Sequence, residues 1–382
     1  MDYPYVIFYI ILLVLSYKYW RERKSYIIKF SFVLAFIFFA FRAPVVGADT
    51  WDYVRYLTGE RNFYNYDSRP LEPLFVVYRN FICKITTSRF VVMVINTILT
   101  MFPLYLILKK YSKNVPLSIL LFCYFGGYTV YFIGLRQAFG LIPILLSLLY
   151  CLEMKDKYYY MKTFLLFLIC SIIGWFFHTS SIIYAILFMA SLFIPGGNKV
   201  LYIIVVLGSA LIGFVLEKFN VLDFFSLILS YSFSGIDRIS NYLQNSELIE
   251  DSPINILIRQ TIVALVIICF MDKDVIRHPF FKLYIWGVVI FNLLFSVPMI
   301  PRLVTPLLMF GAVVFTWLFG KKYMLTAKRR TVVNIIVILV LSYYTRSNFI
   351  TSSHWDKYSA DRLHPYYFFF QDYSDHPSVK YF

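Results

Sequence analysis

The chain has 382 residues, 60% of them hydrophobic and 15% charged, with a formal net charge of +15. A water-soluble domain of this length has nowhere to hide so much apolar surface, so the expected solvent is lipid. In such a chain the basic excess is first an orientation signal, because cytoplasmic loops collect Lys and Arg; no nucleic-acid partner is expected.

A spanning helix needs about 20 mostly apolar residues. Along the sequence that rule gives an all-α polytopic integral membrane protein with about twelve transmembrane helices. They are expected near 3–18, 27–42, 90–108, 115–133, 136–152, 163–177, 179–194, 200–217, 254–271, 283–300, 303–319 and 331–346. The pair around His178 is short and reads either as two tilted spans or as one broken, re-entrant element. The start of the chain lacks the basic leader and small-residue cleavage site of a signal peptide, so its first apolar run is expected to remain. No repeat and no separate soluble domain is visible, and 1–382 is read as a single membrane domain.

Basic residues set the orientation. Lys18, Arg21, Arg23, Lys24 and Lys29 form the first connector, Lys109, Lys110 and Lys113 a later one, and Lys321 to Arg330 the last. All fall on one side of the expected bundle, which should be cytoplasmic. The external segments are then 43–89, the substrate loop, 218–253, and the tail 347–382. Those segments are rich in arginine (Arg42, Arg55, Arg61, Arg69, Arg79, Arg89, and at outer span ends Arg136 and Arg302), against the positive-inside bias. Arginine presents a planar fork of donors that grips phosphate bidentately, so an anionic, phosphate-bearing ligand is expected there. Salt bridging with Asp49, Asp52, Glu60, Asp67 and Glu72 is the alternative use.

Individual positions sharpen this. On a helix, Arg136, Gly140, Pro143 and Ser147 share one face, which should point into the bundle. An ionisable group within a span is a functional candidate by default, because placing it there costs at least about 2.5 kcal/mol. Gly174, His178 and Ser181 share a second such face, and the imidazole of His178 suits a general base. Asp49 opens an expected helix as its N-cap, with Asp52 in the capping-box position; the same carboxylate is the second catalytic candidate. Glu72, held between Pro70 and Pro73, is expected to contact a sugar or pair with an arginine. Arg302 sits among prolines that should break a span near the surface, a plausible phosphate contact. Trp51, Tyr53, Tyr56, Tyr64, Tyr66, Trp355, Tyr366 and Tyr367 read as interfacial anchors or as platforms for sugar rings. No Walker loop, nucleophile elbow or HExxH motif is present, and no acidic pair marks a metal site.

The segments FRAPVVGADTWDYVRY, RPLEPLF, LRQAFGLIP, WFFHTSSII and IPR, with a closing HPYY, come in that order over about 40–370. In this pattern the chain resembles the EpsG-like membrane proteins, grouped with the Wzy-type polymerases of bacterial exopolysaccharide, capsule and O-antigen synthesis. The resemblance implies a fold like the GT-C-like O-antigen ligase and polymerase group. It implies a glycosyltransferase without cofactor or metal in the bacterial cytoplasmic membrane, with its site facing outward. Its donor would be an undecaprenyl-pyrophosphate-linked oligosaccharide, its acceptor the next lipid-linked repeat unit, and a chain-length regulator a partner. Carried onto this sequence, Arg42, Gly47, Asp49 and Tyr53 form the first motif, Arg136 and Gln137 the second, His178 the third and Arg302 the fourth. The expected roles are catalysis by His178 and Asp49, and substrate binding by Arg42, Tyr53, Arg55, Glu72, Arg136, Gln137 and Arg302. A lipid-linked oligosaccharide flippase and a membrane acyltransferase acting on sugar hydroxyls are the competing readings. Ligation of finished glycan to another acceptor would use the same chemistry.

Overall fold

The computed structural model describes residues 3–47, 49–60, 71–154, 159–219, 253–295, 300–318, 365–374, 376 and 379. The expected span at 331–346, the last basic connector and most of the segments 218–253 and 347–364 lie outside them. Regular structure among the described residues is helical, apart from one isolated antiparallel bridge between Arg42 and Phe368. The chain divides into two compact units, Met1–Ile194 with Phe349–Phe382, and Pro195–Asn348.

The first unit contains α1 (Tyr3–Glu22), α2 (Ser25–Ala40), α3 (Thr50–Leu57), α4 (Pro73–Ile85), α5 (Arg89–Tyr111) and α6 (Val115–Phe122). Two π-helical turns, Cys123–Gly127 and Thr129–Ile133, continue α6, and α7 (Leu135–Glu153), α8 (Tyr159–Phe177) and α9 (Ser181–Phe193) complete the unit. The span expected at 115–133 is therefore not one regular helix. Gly126, at φ +94°, takes a left-handed conformation inside it and kinks the run. Helix starts follow local chemistry. Ser88 and Asn114 accept from the amides of Val91 and Leu117, closing the first turns of α5 and α6. Pro73, with its preset φ, opens α4.

Among the described residues, five helices are long and apolar enough to cross a membrane: α1, α5, α7, α8 and, in the second unit, α10 (Lys199–Lys218). Helix α8 buries only 17% of its apolar stretch and α10 only 22%, so the remainder needs an apolar solvent. This fits a multi-pass membrane protein. Where about twelve full-length spans were expected, the described residues offer these five and a set of apolar helices of 10–17 residues.

The connectors sort to two ends of the first unit. Asn114 Nδ2 donates to the carbonyl and hydroxyl oxygens of Ser16, and Lys110 pairs with Glu153. The first two basic connectors and the end of α7 thus share one end. The chain around Phe41, the start of α5, α3, and the start of α7 lie at the other. There the C-terminal segment docks. Ala43 N donates to Tyr367 O (2.7 Å), Phe369 N to Phe41 O (2.9 Å) and Tyr366 Oη to Phe38 O (2.5 Å). Phe38 stacks on Phe8 at 4.1 Å and on Tyr366 at 4.6 Å, so Tyr366 fills an aromatic core.

Helices α8 and α9 are separate elements packed on each other and on α7, with His178 in the turn between them. In the second unit, α10, α11 (Pro253–Phe270), α12 (Lys273–Ile276), α13 (Pro279–Leu294), α14 (Ile300–Leu308) and α15 (Gly311–Trp317) follow in order. The run expected as one span at 303–319 is two helices.

Candidate functional site at the loop end of the first unit

The polar interruption folds into two short helices, α3 and α4, whose apolar faces meet. Tyr53, Tyr56, Leu57 and Phe75 are buried together with Val92, Leu135 and Phe139. Tyr56 stacks on Phe75 at 5.9 Å. This core sets Tyr53 and the N-cap residue of α4, Glu72, against the first turn of α7. Arg136 Nη1 lies 2.6 Å from Glu72 Oε2, and Arg136 Nε donates to the Tyr53 hydroxyl at 3.0 Å. Both side chains of the ion pair are 16% exposed. A pair so removed from water is a strong local constraint, and losing either partner strands the other charge.

His178 occupies the turn between α8 and α9. Its Nδ1 accepts from the Ser180 amide at 3.3 Å and is 2.7 Å from Ser180 Oγ. Burial pushes the imidazole down to about 4, with Glu72 pulling it up and Arg136 pushing it further down. The ring is therefore neutral near pH 7 and close enough to Glu72 and Arg136 to feel both. Two glycines make the approach possible. A Cβ on Gly140 would stand 3.0 Å from the Gly174 carbonyl and 3.4 Å from His178 Cβ; one on Gly174 would stand 2.7 Å from the Gly140 carbonyl. The two small faces read from the sequence thus pack on each other, and they place His178 beside Arg136.

The front of the first motif anchors the loop. Arg42 is 4% exposed. It donates to the carbonyls of Phe39 (2.6 Å), Val46 (3.3 Å) and Tyr131 (3.4 Å), and its guanidinium lies 3.9 Å over the Phe132 ring. Gly47, at φ +106°, runs so close to Phe132 that a Cβ would meet its carbonyl at 2.7 Å, and Thr50 Oγ1 bonds the same carbonyl. These contacts fix α3 on the π-helical turn that leads into Arg136. Asp49 stands at the N-cap of α3, but its carboxylate makes no capping bond; the expected capping box does not form. Its charge reaches the Tyr53 hydroxyl instead.

A family model described as the EpsG family matches residues 25–368. The chain belongs to the EpsG family. No curated protein and no solved structure matches it significantly. Membership points to a role of the polysaccharide-polymerase type in an apolar, helical membrane protein, and to glycosyltransferase chemistry in general.

Within this EpsG-family chain, Asp49, Tyr53, Glu72, Arg136 and His178 gather around one ion pair, whereas Arg42, Arg55 and Gln137 do not. Arg42 lies beneath α3, lining a small internal cavity with Thr50, Asn96 and Thr97. Arg55 sits 3.9 Å from Glu60, and Glu60 is held by Arg89 through two bonds of 2.7 and 2.5 Å. Gln137 is buried and donates to the Tyr184 hydroxyl of α9. Arg302, in α14, is exposed and belongs to the second unit. Trp51, Tyr53, Tyr56 and Tyr366 are all buried and serve as core, not as open platforms; Tyr64, Tyr66, Trp355, Arg61 and Arg69 lie outside the described residues. No group of three His, Cys, Asp or Glu able to hold a metal occurs among the described residues. Sequence reasoning missed helix α4 and the roles of Ser180 and Tyr184. Pro73 followed by apolar Phe75, Tyr78 and Ile82 at helical spacing was the available signal for α4.

Proposed function

We propose that this chain is a Wzy-type polysaccharide polymerase of the outer face of the bacterial cytoplasmic membrane. It transfers glycan from an undecaprenyl-pyrophosphate-linked donor to a lipid-linked repeat unit, without metal and with inversion. The observation that carries the reading is the largely buried Arg136–Glu72 pair, joined by Tyr53 and His178 at the end of the unit opposite the basic connectors. Those connectors mark the cytoplasmic side by the positive-inside rule, which turns the cluster outward.

In the reaction the acceptor hydroxyl oxygen attacks the anomeric carbon and the bond to the pyrophosphate oxygen breaks. The leaving group gains charge as it departs, and a fixed guanidinium such as Arg136 is preorganised to stabilise it. A carboxylate and an imidazole beside it are the groups for the acceptor proton. Asp49 stays a candidate through its reach to Tyr53, and Arg302 through its exposed cation. A chain-length regulator is the expected protein partner.

The test is a strain carrying Arg136→Ala at normal membrane abundance, with lipid-linked and surface glycans resolved on a gel. Loss of long polymer with single repeat units held on the outer leaflet supports the reading. Accumulation on the inner leaflet makes the protein a flippase, and unchanged polymer removes Arg136 from the chemistry.

A further inference from the structure

Two groups of Ser180 meet one nitrogen of the His178 ring. Ser180 Oγ lies 2.7 Å from His178 Nδ1. The direction of that bond is fixed independently. The Ser180 backbone amide also points at Nδ1, at 3.3 Å, and an amide nitrogen only donates. A proton on Nδ1 would face that amide hydrogen. Nδ1 is therefore the acceptor, and in a neutral imidazole the proton sits on Nε2.

Glu72 shows the complementary pattern. One carboxylate oxygen, Oε2, is bound by Arg136; Oε1 has no partner among the described residues. The side chain is 16% exposed, so this oxygen is neither deeply enclosed nor fully in water.

We propose that Ser180, through its backbone amide and its hydroxyl, holds His178 as its Nε2–H tautomer. His178 then donates a hydrogen bond to substrate, and Glu72 takes the proton of the acceptor hydroxyl. The inference rests on the polymerase reading for its substrate and reverses the role the sequence suggested for His178. As the new bond forms between acceptor oxygen and anomeric carbon, the bonding pair of the old linkage leaves with the pyrophosphate oxygen, and the hydroxyl proton ends on Glu72. His178 keeps its own proton throughout, giving a hydrogen bond to an oxygen that becomes negative. Ser180 is a positioning residue: it acts by setting which ring nitrogen carries hydrogen.

Two measurements test this. The first uses full-length protein in lipid nanodiscs with nitrogen-15 histidine, the His178→Gln variant identifying the His178 signals in a long-range proton–nitrogen correlation spectrum. The expected pattern at neutral pH is a protonated Nε2 and a bare Nδ1. A proton on Nδ1, or an imidazolium, overturns the proposal.

The second measures extension of a synthetic lipid-linked repeat unit. A glutamine amide replaces an Nε2–H donor but is no base. His178→Gln should therefore keep at least a tenth of the wild-type rate, while His178→Ala and Glu72→Gln lose a hundredfold or more. Equal inactivity of the glutamine and alanine variants, both folded, makes His178 the base and overturns the proposal. If the wild-type protein extends nothing, the polymerase reading fails, while the spectrum still decides the tautomer.

Discussion

Gly140 of α7 and Gly174 of α8 lie so close that a Cβ added to either would stand 2.7–3.0 Å from the other's carbonyl oxygen. A Cβ on Gly140 would meet the Ser181 hydroxyl first, and beyond it the Gly174 carbonyl, a contact that turning a side chain cannot relieve. That crossing sits one helical turn from both Arg136 and His178, and it sets the distance between them.

Gly140→Ala should therefore cost activity beyond its cost in stability. Overpacking of a tight core is worth about 1–3 kcal/mol, and a shift near 1 Å at a reacting group can cost about a hundredfold in rate. Thermal unfolding in detergent beside a polymer-extension assay separates the two. Wild-type turnover in the variant would remove the crossing as a determinant of the site.

The ion pair predicts coupling between Arg136 and Glu72. Each single change, Arg136→Gln or Glu72→Gln, strands a charge that is 16% exposed in its pair. The double variant should be less impaired than the sum of the singles, by about 0.5–3 kcal/mol in a double-mutant cycle on stability. Additive losses would mean that the two side chains act apart.

Arg42 should behave as an anchor. Its guanidinium is spent on the carbonyls of Phe39, Val46 and Tyr131. Arg42→Gln uncovers buried acceptors, each worth about 1–3 kcal/mol, so the melting temperature should fall sharply. The substrate concentration for half-maximal rate in the surviving folded fraction should stay near the wild-type value. A large rise in it with unchanged melting would place Arg42 on the substrate. By contrast, Arg89→Ala removes a bond pattern to a partly exposed Glu60 and should cost no more than about 1 kcal/mol.

Acid should weaken the first unit through His178. Burial holds this imidazole at about 4, whereas a free histidine titrates near about 6.5. Between those values the unfolded chain binds the extra proton, so stability is full above the upper value and is lost as pH falls toward the lower one. Glu72 and Arg136 are the charged groups that act on the ring, and they pull in opposite directions. Thermal inactivation from pH 7 down to 4.5 should show a steeper loss for wild type than for His178→Gln. Parallel curves would show that the ring is not held neutral by the fold.

Much of the architecture was legible in the residues because it depends on short-range properties. Runs of apolar residues mark helices that face lipid wherever they fall, and α1, α5, α7, α8 and α10 stand close to where length and hydropathy put them. The small faces of Gly140 and Gly174 were legible too, since helical periodicity is local. Asp49 was half legible. Its place at the start of α3 came from the sequence, while the missing capping bond depends on the packing around it.

What the tertiary structure alone decided is which groups meet. Glu72 reaches Arg136 across 64 residues, Arg136 reaches Tyr53 across 83, and Gln137 reaches Tyr184 across 47. No local rule orders such pairs, because each depends on how α3 and α4 fold onto the start of α7 and how α9 returns along it. The residue types at these positions announced charge and hydrogen bonding. Packing chose the partners, turned Arg42 and the loop aromatics inward, and left Glu72 and His178 beside one guanidinium.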